Sequence, residues 1–403
     1  MIKAVLLDLD DTLLSCPTER FVAEYLRLMD GYFLERWTFA SMSKLVLEGV
    51  RRITKAEARS GEETNSDVFA DILERATGKS QVEIEEAFAE FHASVYPMLR
   101  ACTSMIPEAP QLVEALRAQG YAVAIATNPI YAPEAILQRL AWAGLPDTPE
   151  AYALVTHSGN MHFAKPSPAY YAEIVARVGV EPDEAMMVGD SLKNDVLPAR
   201  AVGLNAYLVR RNGESAAFEE QEASGTLREL YELVSRTDWL RSIMPRPLEA
   251  GMIEPELRGN IGALFGLLDR VQPHQWSQRP DPNEWSIQQV VGHLLESERL
   301  VQRPRLQRIL AEENPFLVAP SPPTAPDDAA HENAGIQMAR QFAVEREGTI
   351  QWLRALRPED WSRSARHSVF GATTLLEMAH FTAQHDRLHS NQICHTLGQC
   401  EQR

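Results

Sequence analysis

Ala4-Val5-Leu6-Leu7-Asp8-Leu9-Asp10-Asp11-Thr12 stands at the start of the chain and decides how its first half is read. A short apolar run of this kind predicts a strand buried on both faces, and it ends in acids two residues apart where a loop should begin. Carboxylates crowded at one strand end resist joint ionisation unless a cation is near, so the cluster reads as a hard-metal site. One acid is then free to serve as a nucleophile and its neighbour as an acid/base.

Further along, two more apolar runs end in polar residues. Residues 122–126 precede Thr127-Asn128, and residues 185–188 precede Gly189-Asp190. Helical spacing fills the intervals, for example over 110–119 and 169–178. Strands alternating with helices predict an α/β fold with a doubly wound parallel sheet, whose sites form at the carboxyl ends of the strands. Between the first two strands, residues 21–29, 67–74 and 82–91 show helical spacing without strand alternation. A helical insertion over about 17–97 is therefore expected above the active-site edge, as a cap.

The chemistry that suits these acids is phosphoryl transfer through an aspartyl-phosphate. Asp8 would attack phosphorus, and Asp10 would protonate the leaving oxygen and then activate water. Mg²⁺ would bridge the Asp8 carboxylate, the Asp10 carbonyl and the substrate phosphate, with a third carboxylate completing the shell. Thr127, Asn128 and Lys165, the last in Phe163-Ala164-Lys165-Pro166-Ser167-Pro168, are candidates to hold phosphate oxygens.

Taken together, Asp8-Leu9-Asp10-Asp11-Thr12, Thr127-Asn128, Lys165 and Gly189-Asp190-Ser191-Leu192-Lys193-Asn194-Asp195 resemble the four motifs of the haloacid dehalogenase-like (HAD) phosphohydrolase superfamily, in order, over residues 1–235. The resemblance implies a HAD-like Rossmannoid domain with Asp8, Asp10, Thr127 and Lys165 as catalytic residues. It implies Thr127, Asn128 and Lys165 on the phosphate. Asp8, Asp10 and Asp190 would be Mg²⁺ ligands, and Asp195 metal-site support. An insertion directly after the first motif resembles the helical cap of the phosphoglycolate-phosphatase-like branch. Members that dehalogenate generally lack the second acid and need no metal, so Asp10 favours phosphatase chemistry on a small phosphorylated metabolite. Ser191 and Asn194 fit helix N-capping nearly as well as catalysis.

Beyond residue 240 the strand signals stop. Residues 241–253, with Met244-Pro245-Arg246-Pro247, read as a linker, and residues 254–403 as a four-helix bundle with amphipathic patterns at 256–271, 286–311, 329–355 and 373–397. The Pro-rich stretch 315–326 would connect the second and third helices. His385 and His389 are four apart, which puts two imidazoles on one helical face, and His293 from another helix would complete a three-nitrogen metal set with open positions.

The stretches 285–296, 356–361 and 385–393 resemble the DinB/YfiT-like four-helix family over residues 252–398. In that family three histidines bind a divalent metal, which here implies His293, His385 and His389 around a second divalent transition metal, Zn²⁺ or Ni²⁺. His380, five residues before His385, points to another face and is expected to be structural; Glu296 is expected to face solvent. Two alternatives stay open for the bundle. It would be a thiol S-transferase or hydrolase in its own right, or a non-catalytic docking module, with a homodimer as the analogy.

Length and charge bound the rest. At 403 residues two domains are the default, and a net charge of −17 argues against non-specific binding to nucleic acid or anionic membranes. No run approaches the ~18 apolar residues of a membrane span. The four cysteines show no CxxC pairing, and the N-terminus runs straight into the strand motif, so no signal peptide and a cytoplasmic protein are expected.

Overall fold

β1 (Ala4–Leu7) is buried along its whole length in the middle of a parallel sheet. The computed structural model describes residues 1–403 apart from 40, 56–58, 211–222, 320–333 and 401–403. The chain divides into two compact units, Met1–Arg59 with Glu63–Arg246, and Pro247–Arg403 with Ser60–Glu62.

In the first unit β2 (Leu14–Ser15) and β3 (Ser104–Met105) form an antiparallel ribbon. The other strands are β4 (Ala122–Ile125), β5 (Leu154–Val155), β6 (Ala185–Gly189), β7 (Asn205–Val209) and β8 (Ser224–Gly225). Among the described residues they make one sheet with β1, ordered β5-β4-β1-β6-β7-β8, parallel throughout. β5, β7 and β8 carry no clear sequence signal because two are only two residues long and β7 opens on Asn205.

Strand order runs outward in both directions from β1, so β1 is the topological switch point, where such sheets leave a crevice. Leu7 pairs with Ile125 on one side and Val188 on the other. Asp8, Thr127 and Asp190 therefore leave the sheet at the same edge. Side chains alternate across the sheet as the period of two requires: Val5, Leu7, Val123 and Val188 enter one core, while Ala4, Leu6, Ala124 and Met187 enter the other.

Among the described residues four α-helices lie between β2 and β3: α1 (Thr18–Trp37), α2 (Met42–Ile53), α3 (Asn65–Thr77) and α4 (Gln81–Ser94). α2 is an addition to the three helical stretches read from the sequence. α3 and α4 start on capping boxes, Thr64 with Asp67 and Ser80 with Glu83, each worth about 1 kcal/mol. Asn65, fully buried at the start of α3, donates to the carbonyls of Pro129 and Phe163 at 3.1 and 3.2 Å. These bonds dock the insertion onto the loops that carry Asn128 and Lys165. A cavity of about 400 Å³ lies beneath it, lined by Tyr25, Phe69, Leu73, Ile84 and Phe88, with His92.

Flanking helices are α5 (Glu108–Ala118), α6 (Pro133–Trp142), α7 (Pro168–Val178), α8 (Leu197–Arg200), α9 (Leu227–Arg236) and α10 (Trp239–Ser242). α5 and α9 cover one face of the sheet with Leu112, Leu116, Leu230 and Val234; α7 covers the other with Tyr170, Ile174 and Val175.

His92 of α4 gives the first unit an acid-labile point. It is buried against Phe91 and Tyr96, and neither ring nitrogen makes a well-formed hydrogen bond. Burial pushes its pKa down to about 4, only partly offset by the Phe88 carbonyl. Protonation thus favours the unfolded chain: the stability is fully present above about pH 6.5 and is lost as pH falls from there through 4. His92→Phe is expected to flatten that part of the thermal-midpoint-versus-pH curve, and an unchanged slope between pH 6.5 and 4 would contradict the assignment.

The second unit holds α11 (Ala250–Leu268), α12 (Ile287–Ser297), α13 (Arg303–Ala311), α14 (Ala334–Arg354) and α15 (Leu375–Cys400). α11 begins within the expected linker and takes Pro255 into its interior. The single helix expected over 286–311 is interrupted by a π-helical turn, Glu298–Gln302, followed by Pro304, whose missing N–H cannot continue the regular ladder. A small sheet, β11 (Gly371–Thr374), β10 (Ser364–His367) and β9 (Phe316–Leu317) in that order, corrects the expectation of helices alone. Its strands are too short for their alternation to register. The 320–326 part of the Pro-rich stretch and residues 329–333 of the third expected helix lie outside the described residues. No described helix is long and apolar enough to cross a membrane.

Candidate functional site

Asp8 follows β1 directly and is 7 % exposed. Lys165 Nζ donates to its Oδ1 at 2.7 Å, and Thr12 Oγ1 donates to its Oδ2 at 2.9 Å. The same ammonium donates to Asp195 Oδ1 at 2.5 Å. Asp195 sits in a π-helical turn, Leu192–Val196, where its Oδ2 accepts from the Ser191 N–H at 3.0 Å. Gly189 permits this approach, since a Cβ there would lie 2.4 Å from the Asp195 carboxyl carbon. Ser191 Oγ accepts from the Asn194 N–H at 3.1 Å, the capping role.

Carboxylate oxygens of Asp8, Asp190 and Asp195 all lie within 4.8 Å of one another. Burial pushes the Asp8 pKa up to about 7; Lys165 opposes that shift, and the Asp195 and Asp190 charges add to it. Burial works against the Lys165 ammonium too, but Asp195 and Asp8 outweigh it and hold its pKa well above the usual range. Thr127 is buried, its carbonyl accepting from Tyr170 Oη at 2.7 Å and Thr156 Oγ1 at 2.9 Å, while its hydroxyl makes no bond with a described residue. The amide oxygen of Asn128 is buried without a partner. Asp10 stands apart from this cluster: its Oδ2 accepts from Arg139 Nη1, and its Oδ1 is buried unpartnered.

In the second unit His293 comes from α12, and His385 and His389 from α15. His293 Nε2 lies 3.3 Å from His385 Nε2, and one nitrogen from each of the three falls within 4.8 Å of the others. His389 Nδ1 pairs with Gln392 Oε1 at 2.9 Å, which leaves its Nε2 for a metal. Trp285 stacks parallel to His389 and edge-on to His293. Burial and the neighbouring His389 push His293 down to about 4, and burial with both partner imidazoles and nearby arginines pushes His385 to about 2. Three neutral imidazoles converging on one point suit a divalent transition metal. His380 lies elsewhere, with Nδ1 3.3 Å from Glu256, and Glu296 is exposed.

Residues 2–203 match the model of the haloacid dehalogenase-like hydrolases, and residues 256–393 match that of the DinB superfamily. The chain belongs to the haloacid dehalogenase-like hydrolase family. It is 32% identical over 257 residues to the phosphoserine phosphatase of Thermus thermophilus, covering 57% of this chain and 98% of that protein. The ribulose-1,5-bisphosphate 5-phosphatase of Halopiger xanaduensis is 31% identical over 233 residues, 57% of this chain and 93% of its own. The phosphoglycolate phosphatase of Rhodospirillum rubrum is 31% identical over 243 residues, covering 60% and 91%.

Sequence reasoning missed several residues of this haloacid dehalogenase-like hydrolase. Arg139 of α6 is completely buried against Phe21 and Tyr131 while its guanidinium holds Asp10. Its spacing was the signal: Ala135, Ile136, Arg139 and Leu140 form one buried helical stripe, with a charge set into it. Tyr171 Oη bonds the Asn194 carbonyl and braces the turn that carries Asp195. In the bundle Arg346 is buried between Glu298 and Asp386, at 2.8 Å from Glu298 Oε2 and 3.1 Å from Asp386 Oδ1. Arg346 too lies in an apolar stripe, with Phe342, Ala343 and Ile350.

Proposed function

We propose that the region 1–240 is a Mg²⁺-dependent phosphatase that hydrolyses a small phosphorylated metabolite through an aspartyl-phosphate on Asp8. The observation that carries this reading is Asp8 held beside a single ammonium, Lys165, with two more carboxylates, Asp190 and Asp195, in reach. Three carboxylates facing one cation fit a hard divalent ion bound through oxygen. Asp8, Asp190 and the Asp10 backbone carbonyl would hold Mg²⁺, with Asp195 in support, and the ion would neutralise phosphate charge.

An Asp8 oxygen attacks phosphorus, the bond from phosphorus to the ester oxygen breaks, and that oxygen takes a proton from Asp10. Asp10 then removes a proton from water, whose oxygen attacks the phosphorus and breaks its bond to Asp8, releasing inorganic phosphate. Lys165, Thr127 and Asn128 hold the phosphate oxygens. Arg139 anchors the Asp10 carboxylate in one orientation between these two proton transfers. The helical insertion sets the choice of substrate from above, and the relatives named for phosphoserine, ribulose-1,5-bisphosphate and phosphoglycolate define the class to try first.

Phosphate release from a panel of such monoesters, with Mg²⁺ and with chelator, tests the reading. Release that requires Mg²⁺ supports it, and no release from any monoester rules it out.

The bundle supports a second reading, in which His293, His385 and His389 hold a divalent transition metal, Zn²⁺ or Ni²⁺, and the bundle is a second catalytic centre for thiol transfer or hydrolysis. Convergent neutral imidazoles favour it over a docking module, which needs no such cluster. His385→Ala is expected to strip the bound transition metal from the purified full chain, and unchanged metal content would remove the assignment.

A further inference from the structure

Arg305 of the bundle has no anionic partner among the described residues. It lies on α13, one turn after the π-helical segment, and is only 8 % exposed. Yet it makes no hydrogen bond or ion pair with any described residue. Arg346, more deeply buried, is matched by Glu298 and Asp386, and Arg387 by Glu256. The Arg305 stem is buried while its guanidinium nitrogens still reach solvent, so the unpaired cation is open to an anion that enters from outside.

A second orphan donor lies nearby. His367 of β10 is 4 % exposed, and its Nδ1 accepts from the N–H groups of Val369 and Phe370 at 3.2 and 3.3 Å. The hydrogen therefore resides on Nε2, which is buried and has no acceptor. His367 and Arg305 are electrostatic neighbours: beyond the effect of burial, the Arg305 charge further lowers the basicity of His367.

Both groups connect to the histidine triad. Gln302, one turn before Arg305, accepts from Thr382 Oγ1 at 3.2 Å, and Thr382 is three residues before His385 on α15. The His367 ring stacks on Phe370 at 4.6 Å, and Phe370 packs at 4.7 Å on Phe381, one turn before His385. Arg305 also contributes to the depressed basicity of His385.

We infer that Arg305 and His367 form an oxyanion site beside the histidine triad, and that the bundle takes a small organic ligand ending in a carboxylate or phosphonate-like group. The guanidinium offers paired donors that match such a group, and the His367 Nε2–H adds a third. The rest of the ligand would extend toward His293, His385 and His389. Only that last element rests on the metal reading of the triad; the oxyanion site does not.

Titration calorimetry on the full chain in chelator, with malonate, succinate and methylphosphonate as probes, tests the inference. At least one probe is expected to bind wild-type protein, and Arg305→Met is expected to weaken that binding by about tenfold to a hundredfold. Arg305→Lys should fall between them. Binding by the phosphatase site is common to all three proteins and cancels in the comparison. Without a probe, Arg305→Met should melt no lower than wild type, because no partner in the protein is lost; a fall in the midpoint would mark a structural role and overturn the inference. So would probe affinities equal in wild type and Arg305→Met, or no binding of any probe. If Arg305→Met loses the anion while His385→Ala keeps its metal, only the metal reading fails.

Discussion

Asp8→Asn is expected to lower phosphomonoester turnover by at least about a thousandfold, equivalent to about 4 kcal/mol of transition-state stabilisation. The asparagine amide occupies the same space but cannot attack phosphorus, so the covalent step has no route. The fold should survive, because Lys165 keeps its 2.5 Å bond to Asp195 and the burial that pushes the Asp8 pKa up to about 7 no longer opposes a charge. Phosphate release and a thermal midpoint measured on the same preparation check both halves. A variant that keeps a tenth of the wild-type rate would place the nucleophile elsewhere.

Arg346→Met should be the most damaging single change in the bundle, at about 3–5 kcal/mol of stability. Its guanidinium bonds Glu298 and Asp386 while lying 4.8 Å from the Phe342 ring centre, and all three charged side chains are almost fully buried. Removing the cation leaves two carboxylates without water or counter-charge. Burial already pushes the Asp386 pKa upward against the pull of Arg346, so without the arginine Asp386 would fold most readily when protonated. The loss should therefore shrink in acid and recover in the triple variant Arg346→Met, Glu298→Gln, Asp386→Asn. Denaturant unfolding followed across pH 5–8 is the measurement, and a loss under about 1 kcal/mol would mean the cluster is not the strut it looks to be.

These two predictions mark where the sequence was readable and where it was not. A strand that ends in Asp8 announces itself locally, because the change from apolar to acidic occupies consecutive residues. Lys165 and Asp195 were readable only as motif residues, since the bond between them joins residues 30 apart through the fold. Arg139 was visible as a charge in the apolar stripe of α6, but nothing local names Asp10 as its partner 129 residues away. Glu298 illustrates the same limit: it continues the buried stripe of Val291, Leu294 and Leu295, but nothing local names Arg346, 48 residues away, as its partner. The small sheet of the bundle escaped for another reason. β9 joins β10 by just two residue pairs from segments far apart in the chain, too few to leave a periodic trace.

Leu14 pairs with Met105 and Ser15 with Ser104, so the helical insertion departs from the sheet domain and rejoins it through one narrow doorway. Segments with adjoining ends are the ones that chains tolerate exchanging, because closing the gap costs the remaining domain little entropy. The helices between those two pairs can thus be treated as a cassette. A relative's insertion spliced in at Ser15 and Ser104 would leave Asp8, Lys165, Asp190 and Asp195 on their own strands and loops, and would need its own counterpart of Asn65 to hold the Pro129 and Phe163 carbonyls.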